Sequence, residues 1–174
     1  ALAAAGHLPV VYDNLSLGHR WSVKWGALVE GDLHDEARLF QTLSDDFFHG
    51  VFHFAANAYV GESVKEPLKY YTNNVAGSLS LLRAMKRAQV YNLVFSSSCA
   101  TYGIPASLPI EEHFPQEPIN PYGQSKKMAE LIFRDEATLG NFKVIRSRYF
   151  NAAACDPDLE TGEDHEPAPH INHL

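Results

Sequence analysis

In a chain of 174 residues, Tyr122-Gly123-Gln124-Ser125-Lys126 sets a phenol and an ammonium four positions apart. On a helix that spacing puts both groups on one face. A neighbouring cation favours the phenolate, so the pair can supply a base near neutral pH from a group that ordinarily titrates near ~10. Alone the pair is weak evidence, because 8 tyrosines make chance pairs of this spacing common. Ser98 strengthens it: a hydroxyl just past the apolar run Asn92-Leu93-Val94-Phe95 can reach the same ligand hydroxyl as Tyr122 if strand end and helix start are adjacent. In isolation Ser98 is better explained as a turn or helix-capping serine. Asp13 closes the apolar run from Pro9, the position where a dinucleotide-binding fold sets an acid on the adenosine ribose, and it reads equally well as a turn carboxylate. Taken together, Ser, Tyr and Lys following such an acid compose an alcohol-oxidation site beside a nicotinamide cofactor. The phenolate takes the hydroxyl proton while the carbon gives hydride to the ring.

These residues need strands and a helix to position them, and the sequence supplies both. Ala1 to Ala5 reads as a helix tail with Gly6 as its left-handed cap. The runs 9–13 and 27–32 read as buried strands, 34–48 as a helix, and 51–56 as a further strand. From Pro67, the residues Leu68, Tyr71, Val75, Leu79, Leu82 and Met85 recur at steps of three and four and predict one long amphipathic helix. A strand over 92–95 runs into Ser96-Ser97-Ser98, a Pro-containing loop covers 104–118, and Asn120-Pro121 starts a helix through Glu136. A last strand begins at Phe142 and ends near Tyr149-Phe150. Strands alternating with helices predict parallel βαβ units, hence an α/β Rossmann-type doubly wound sheet with ligands at the carboxyl ends of its strands. Asp13, Asp32, Ala55-Ala56, Ser96 to Ser98 and Phe150-Asn151 each close a predicted strand. With Asp13 on a second strand, the glycine-rich phosphate loop is expected roughly 20 residues earlier, upstream of Ala1. The sheet is therefore expected to be incomplete, lacking its first strand and phosphate loop, with unpaired edges and an exposed apolar seam.

Composition narrows the ligands. The net charge is −7, with 45% hydrophobic and 20% charged residues, and no Lys/Arg cluster supplies the basic footprint that nucleic acid or an anionic membrane needs. No apolar run approaches the ~18 residues of a membrane span, and the opening alanines lack the flank of a signal peptide. Cys99 and Cys155 form no CxxC and no disulfide framework, which agrees with a reducing, cytoplasmic setting. Asp164-His165-Glu166 with His170 and His173 invites a metal, but the spacing is not HExxH, and Pro167 and Pro169 oppose the helix that would align ligands; a polar loop is the better account.

Several strings taken in order carry a resemblance: Val11-Tyr12-Asp13-Asn14-Leu15, Glu30-Gly31-Asp32, His53-Phe54-Ala55-Ala56, Val60-Gly61-Glu62-Ser63, Tyr71-Thr72-Asn73-Asn74-Val75, residues 96–103, Asn120-Pro121-Tyr122-Gly123, Arg148-Tyr149-Phe150-Asn151 and Gly162-Glu163-Asp164-His165. Over essentially the whole chain they resemble the UDP-glucose 4-epimerase family of extended short-chain dehydrogenases/reductases. The resemblance implies NAD as cofactor, with Asp13 and Asn14 on its adenosine ribose, Asp32 and Leu33 flanking the adenine, and Phe54, Ala55, Ala56, Asn73 and Ser96 lining the rest of the groove. It implies Tyr122 as catalytic base, Lys126 holding the nicotinamide ribose and lowering the tyrosine pKa, and Ser98 on the sugar hydroxyl. Tyr149 would sit by the nicotinamide and Asn151 would touch the UDP-sugar substrate. The implied reaction takes hydride from sugar carbon 4, lets the 4-keto sugar rotate, and returns hydride to its other face. Related 4,6-dehydratases carry acids beside the catalytic hydroxyl; here the neighbours are Ser97, Cys99 and Ala100, which disfavours dehydration. Ala58 stands where some epimerases place a lysine that reaches the cofactor. Residues 1–151 are expected to form a partial NAD-binding domain and 152–174 a loop toward a substrate domain beyond Leu174. The parent protein would be a homodimer. UDP-pentose or UDP-N-acetylhexosamine epimerisation, or an inert or NAD-sensing module, stand as alternatives.

Overall fold

The short apolar runs of this chain become two parallel sheets. The computed structural model describes residues 1–152. Strand β1 (Val10–Asp13) pairs with β2 (Ala27–Glu30), setting Asp13 opposite Glu30. Strands β3 (Val51–His53), β4 (Asn92–Ser98) and β5 (Lys143–Tyr149) form a second sheet in that order. Every pairing is parallel, as the alternation of strands and helices predicts. The result is an α/β, Rossmann-like partial sheet in which β1 and β3 each pair on one side alone among the described residues.

Local chemistry fixes the helix ends. Helix α1 (Glu36–Ser44) is capped by Asp35, whose carboxylate accepts the Arg38 N–H at 3.0 Å. Helix α5 (Pro121–Thr138) begins as predicted, with Pro121 in its first turn and the Asn120 side chain accepting the Gly123 N–H at 2.8 Å. Gly6 takes a φ of 84° as the cap of a single 3-10 turn, Ala3–Ala5.

The long helix predicted from Pro67 is instead a composite. A short helix α2 (Val60–Lys65) precedes α3 (Pro67–Tyr70), a π-helical stretch Tyr71–Ala76, and α4 (Gly77–Arg87). The inward residues of its first half are Tyr70, Asn74 and Ser78, whereas Leu68 is 78% exposed. An apolar periodicity misses this because Asn74 and Ser78 find hydrogen-bond partners inside, and a satisfied polar group can occupy a buried position.

One core joins the helices to β4. Leu93 and Phe95 meet Leu81, Leu82 and Met85 of α4, Ala129 and Phe133 of α5, and Leu39 and Leu43 of α1. Side chains alternate along a strand, so Phe52, Val94 and Ile145, which share a register row, lie on the opposite face; there Phe52 and Ile145 are exposed. Strands β1 and β2, expected to be buried, are not: no residue of either is fully buried, and Ala27 and Glu30 are exposed. A two-stranded ribbon that meets the core chiefly through Tyr12 cannot bury both faces.

The loop after β4 depends on a backbone that only glycine tolerates well. Gly103 has a φ of +68°, and a β-carbon there would fall 1.9 Å from the Glu117 carbonyl oxygen. Gly103→Ala is expected to destabilise the fold by more than about 1 kcal/mol, read by denaturant unfolding. An unchanged midpoint would show that this turn relaxes without cost.

Candidate functional site

The end of β4 and the start of α5 meet at one corner. Ser98 caps a 3-10 turn (Cys99–Thr101), accepting the Ala100 N–H at 3.1 Å, and its hydroxyl lies near enough to the Tyr122 phenol to favour the phenolate. Capping the turn therefore leaves Ser98 on the Tyr122 side of the corner. Gly123 makes the approach possible: a β-carbon there would lie 2.4 Å from the Ala100 carbonyl oxygen. The Tyr122 ring stands edge-on to Tyr70, with centroids 6.4 Å apart. The Tyr70 hydroxyl is itself fixed between the Tyr59 carbonyl at 2.7 Å and the Glu62 carboxylate at 2.8 Å.

Lys126 lies one turn beyond Tyr122 and is 3% exposed. Its ammonium donates to the Ser96 carbonyl at 2.9 Å and sits over the rings of Phe95 and Tyr122, at 5.1 and 6.0 Å from their centroids. Burial pushes its pKa down to about 8. The phenol moves the other way from expectation: burial holds Tyr122 above its ordinary value, opposed by the Ser98 hydroxyl. The cation meets the face of the ring and the Ser96 carbonyl, and at this geometry burial outweighs any help it gives the phenolate. Beneath it His53 is buried, bonded to Ser78 at 2.9 Å, and kept neutral, its pKa pushed to about 3 by burial and then by the Lys126 charge.

A groove opens at the carboxyl ends of β1, β2 and β3. It is lined by Asp13, Asn14, Asp32, Leu33, Phe54, Ala55, Ala56 and Asn73, eight of the residues expected to hold the cofactor, together with Tyr12, Leu17, Gly18 and Gly31. The Asp13 carboxylate accepts the Leu15 N–H at 2.7 Å and faces Gly18, where a β-carbon would stand 3.5 Å away. It is thus both a turn residue and part of the groove. Asn14 donates to Asp32 at 2.8 Å and the His34 N–H adds a second bond at 2.9 Å; these hold the Asp32 carboxyl below its usual range. A dinucleotide suits such a groove, because acidic acceptors beside small residues fit a ribose hydroxyl pair and a close flat base.

Groove and corner are linked by buried amides and hydroxyls. The Asn57 N–H donates to Asn74 at 2.8 Å, Asn74 donates to the Ser125 hydroxyl at 3.0 Å, and Ser125 donates to the Tyr122 carbonyl at 2.7 Å. Of the remaining expected residues, Ser96 contributes its carbonyl to Lys126, Tyr149 lies in register with Ser98 at the end of β5, and Asn151 is exposed just past that strand. Cys155 and the 162–173 segment with its histidines lie outside the described residues. Among the described residues no cluster could hold a metal, and no helix is long and apolar enough to cross a membrane.

Residues 1–168 match the NAD dependent epimerase/dehydratase family. The chain belongs to that family. Its relatives include the UDP-glucose 4-epimerase of Rhizobium meliloti (strain 1021), 48% identical over 169 residues, 97% of this chain and 52% of the relative. A putative UDP-arabinose 4-epimerase of Arabidopsis thaliana is 44% identical over 167 residues, covering 90% of this chain and 38% of the relative. Among solved structures, UDP-glucose 4-epimerase from Brucella ovis in complex with NAD superposes with a TM-score of 0.95 at 52% identity, over 97% of this chain and 52% of that one. The chain spans about half the length of the curated relatives it matches.

Within this family member, the sequence motifs located the ends of the strands but missed the residues that hold them. His53, Tyr70, Asn74, Ser125, Glu130 and Arg148 are buried or half-buried polar groups; Tyr70 finds its partner 8 residues away and the others find theirs 18 to 51 residues away. A polar residue at an inward helical step, such as Asn74 or Ser78, was the available signal. Since the Ser98 hydroxyl is what lowers the Tyr122 pKa against burial, Ser98→Ala is expected to raise it further. Ultraviolet titration of tyrosinate, with Tyr122→Phe to assign the signal, checks the direction; a downward shift would reject the contact.

Proposed function

We propose that a full-length protein carrying this chain is an NAD-dependent epimerase acting at carbon 4 of a UDP-hexose, interconverting UDP-glucose and UDP-galactose through a transient 4-keto sugar. The observation that carries this reading is the corner where Ser98, Tyr122 and Lys126 converge, joined by the Asn57–Asn74–Ser125 hydrogen bonds to a groove holding eight of the expected cofactor residues. The relatives at 48% and 47% identity, both UDP-glucose 4-epimerases, support it, as does the Brucella ovis enzyme solved in complex with NAD.

In this reading Asp13 and Asn14 hold the adenosine ribose, Asp32 and Leu33 flank the adenine, and Phe54, Ala55, Ala56, Asn73 and Ser96 line the path toward the corner. NAD, when bound, supplies a hydride acceptor that gives the hydride back. Tyr122 takes the proton of the 4-hydroxyl and later returns it, Ser98 orients that hydroxyl, and Lys126 holds the nicotinamide ribose and adds positive charge near the phenol. The Ser98 hydroxyl, fixed by the Ala100 N–H on the side of the phenol, supports this part of the reading. Tyr149 and Asn151, at the end of β5, belong to the nicotinamide and sugar sides. No acid flanks Ser98 in sequence, so elimination is not favoured over epimerisation. The same reading makes the full-length protein a cytoplasmic homodimer with small-molecule partners, in keeping with an acidic chain of net charge −7.

Assay of that protein with UDP-galactose, UDP-arabinose and UDP-N-acetylhexosamines separates the sugar classes, and the 44% identical arabinose relative makes the pentose the rival worth including. Turnover of UDP-galactose is expected; none would overturn the hexose assignment, and turnover of no UDP-sugar with NAD still raising the melting temperature would favour a cofactor-sensing module. Tyr122→Phe is expected to lower kcat by about 10²–10⁴-fold while NAD stays bound, because it removes the proton acceptor and almost no volume. Retained turnover would remove Tyr122 from its role as base.

A further inference from the structure

Glu130 is a buried acid that the proposed chemistry does not use. It is 1% exposed and lies on α5 two turns beyond Tyr122. Its carboxylate accepts the Ser97 hydroxyl from β4, two Arg148 nitrogens from β5 (Nε at 2.9 Å, Nη2 at 2.7 Å) and Gln116 Nε2 from the 102–120 loop at 3.1 Å. Arg148 continues outward, its Nη1 donating to the Tyr102 hydroxyl at 2.6 Å and the Glu112 carbonyl at 3.1 Å. Ser97 and Arg148 are register partners, so both side chains rise from the same face of the sheet toward α5.

Each segment gathered here bears on the distance between Ser98 and Tyr122. Ser97 immediately precedes Ser98, Glu130 is on the helix of Tyr122, and Tyr102, Glu112 and Gln116 belong to the loop that connects the two. As a source of stability alone the pair would be a poor choice. Desolvating two charges costs about what their attraction returns, and apolar replacements of similar volume are often neutral or better. What apolar side chains cannot reproduce is a fixed direction: the bidentate guanidinium and four acceptor sites of a carboxylate specify where strand, helix and loop stand.

Resting on the epimerase reading above, we infer that Glu130 and Arg148 are positioning residues: by tying β4, β5, α5 and the intervening loop together, they hold Ser98 and Tyr122 at the separation the proton transfer needs.

The decisive variant is the double replacement Glu130→Met with Arg148→Met in the full-length protein, which removes both charges together and leaves none unpaired. The expected result is an unfolding temperature near that of wild type, unchanged NAD affinity and KM, and kcat lower by about 10- to 100-fold, the range associated with a displacement on the order of 1 Å. Glu130→Gln keeps an acceptor for Ser97 and is expected to lose less kcat than the double variant. Arg148→Lys keeps the charge but not the fork, and is expected to lose kcat at constant KM even if the double variant fails to fold. Full kcat in the folded double variant, or in Arg148→Lys, would overturn the positioning role and leave the epimerase reading standing. A wild-type protein that turns over no UDP-sugar would overturn both.

Discussion

The contact on which the site depends is the hydrogen bond from the ammonium of the buried Lys126 to the Ser96 carbonyl. An ammonium taken out of water needs a partner, and the natural one on a helix, an acid four residues on, is present as Glu130. That carboxylate is already taken by Arg148, Ser97 and Gln116. Lys126 therefore satisfies itself on a backbone carbonyl at the end of β4, with its charge spread over the faces of Phe95 and Tyr122. A helix face carrying Ser125, Lys126 and Glu130 among its buried residues is thereby seated on the sheet by directional bonds as much as by apolar contact with Phe95 and Phe133.

That seating has an electrostatic consequence. Burial without a carboxylate brings Lys126 down to about 8, the condition in which an amine exchanges protons readily around neutral pH. The histidine beneath it cannot share the charge, because burial and the ammonium together keep His53 neutral. The Lys126 ammonium is thus set against the ring whose oxygen is the proposed base. The phenol, raised by its own burial, has the Ser98 hydroxyl as the group that opposes the rise.

The sequence made some of this legible and hid the rest for physical reasons. Elements that announce themselves locally were readable: the Asn120-Pro121 helix start, the Gly6 cap, and the polar residues closing each strand depend on neighbours within a few positions. Seven of the eight groove residues stand in short family strings, and Leu33 directly follows one; the groove brings all eight together. An apolar run reports what a strand can bury; β1 and β2, paired only with each other among the described residues, stay partly open, in line with the exposed seam expected of an incomplete sheet. Asn74, within the π-helical stretch, turns inward onto Asn57 and Ser125, 17 and 51 residues away, which no short window along the chain can contain. The Glu130–Arg148 pairing was hidden for the same cause: Arg148 stood in a family string and Glu130 inside a predicted helix, and it is strand register that sets Arg148 beside Ser97.

Two residues that looked ambiguous resolve in a way that says how such a site is built. Asp13 forms the turn after β1 and lines the groove; Ser98 caps a 3-10 turn and lies on the Tyr122 side of the corner. A side chain that bonds its own backbone loses rotamer freedom in the folded chain, so its remaining acceptor or donor is aimed before any ligand arrives. Asn120 does this for Tyr122 at one remove, since its cap fixes the first turn of α5 and with it the origin of the phenol. Structural and functional explanations of these residues are accordingly not rivals. The local bond that makes each of them look like a turn residue is the device that orients it.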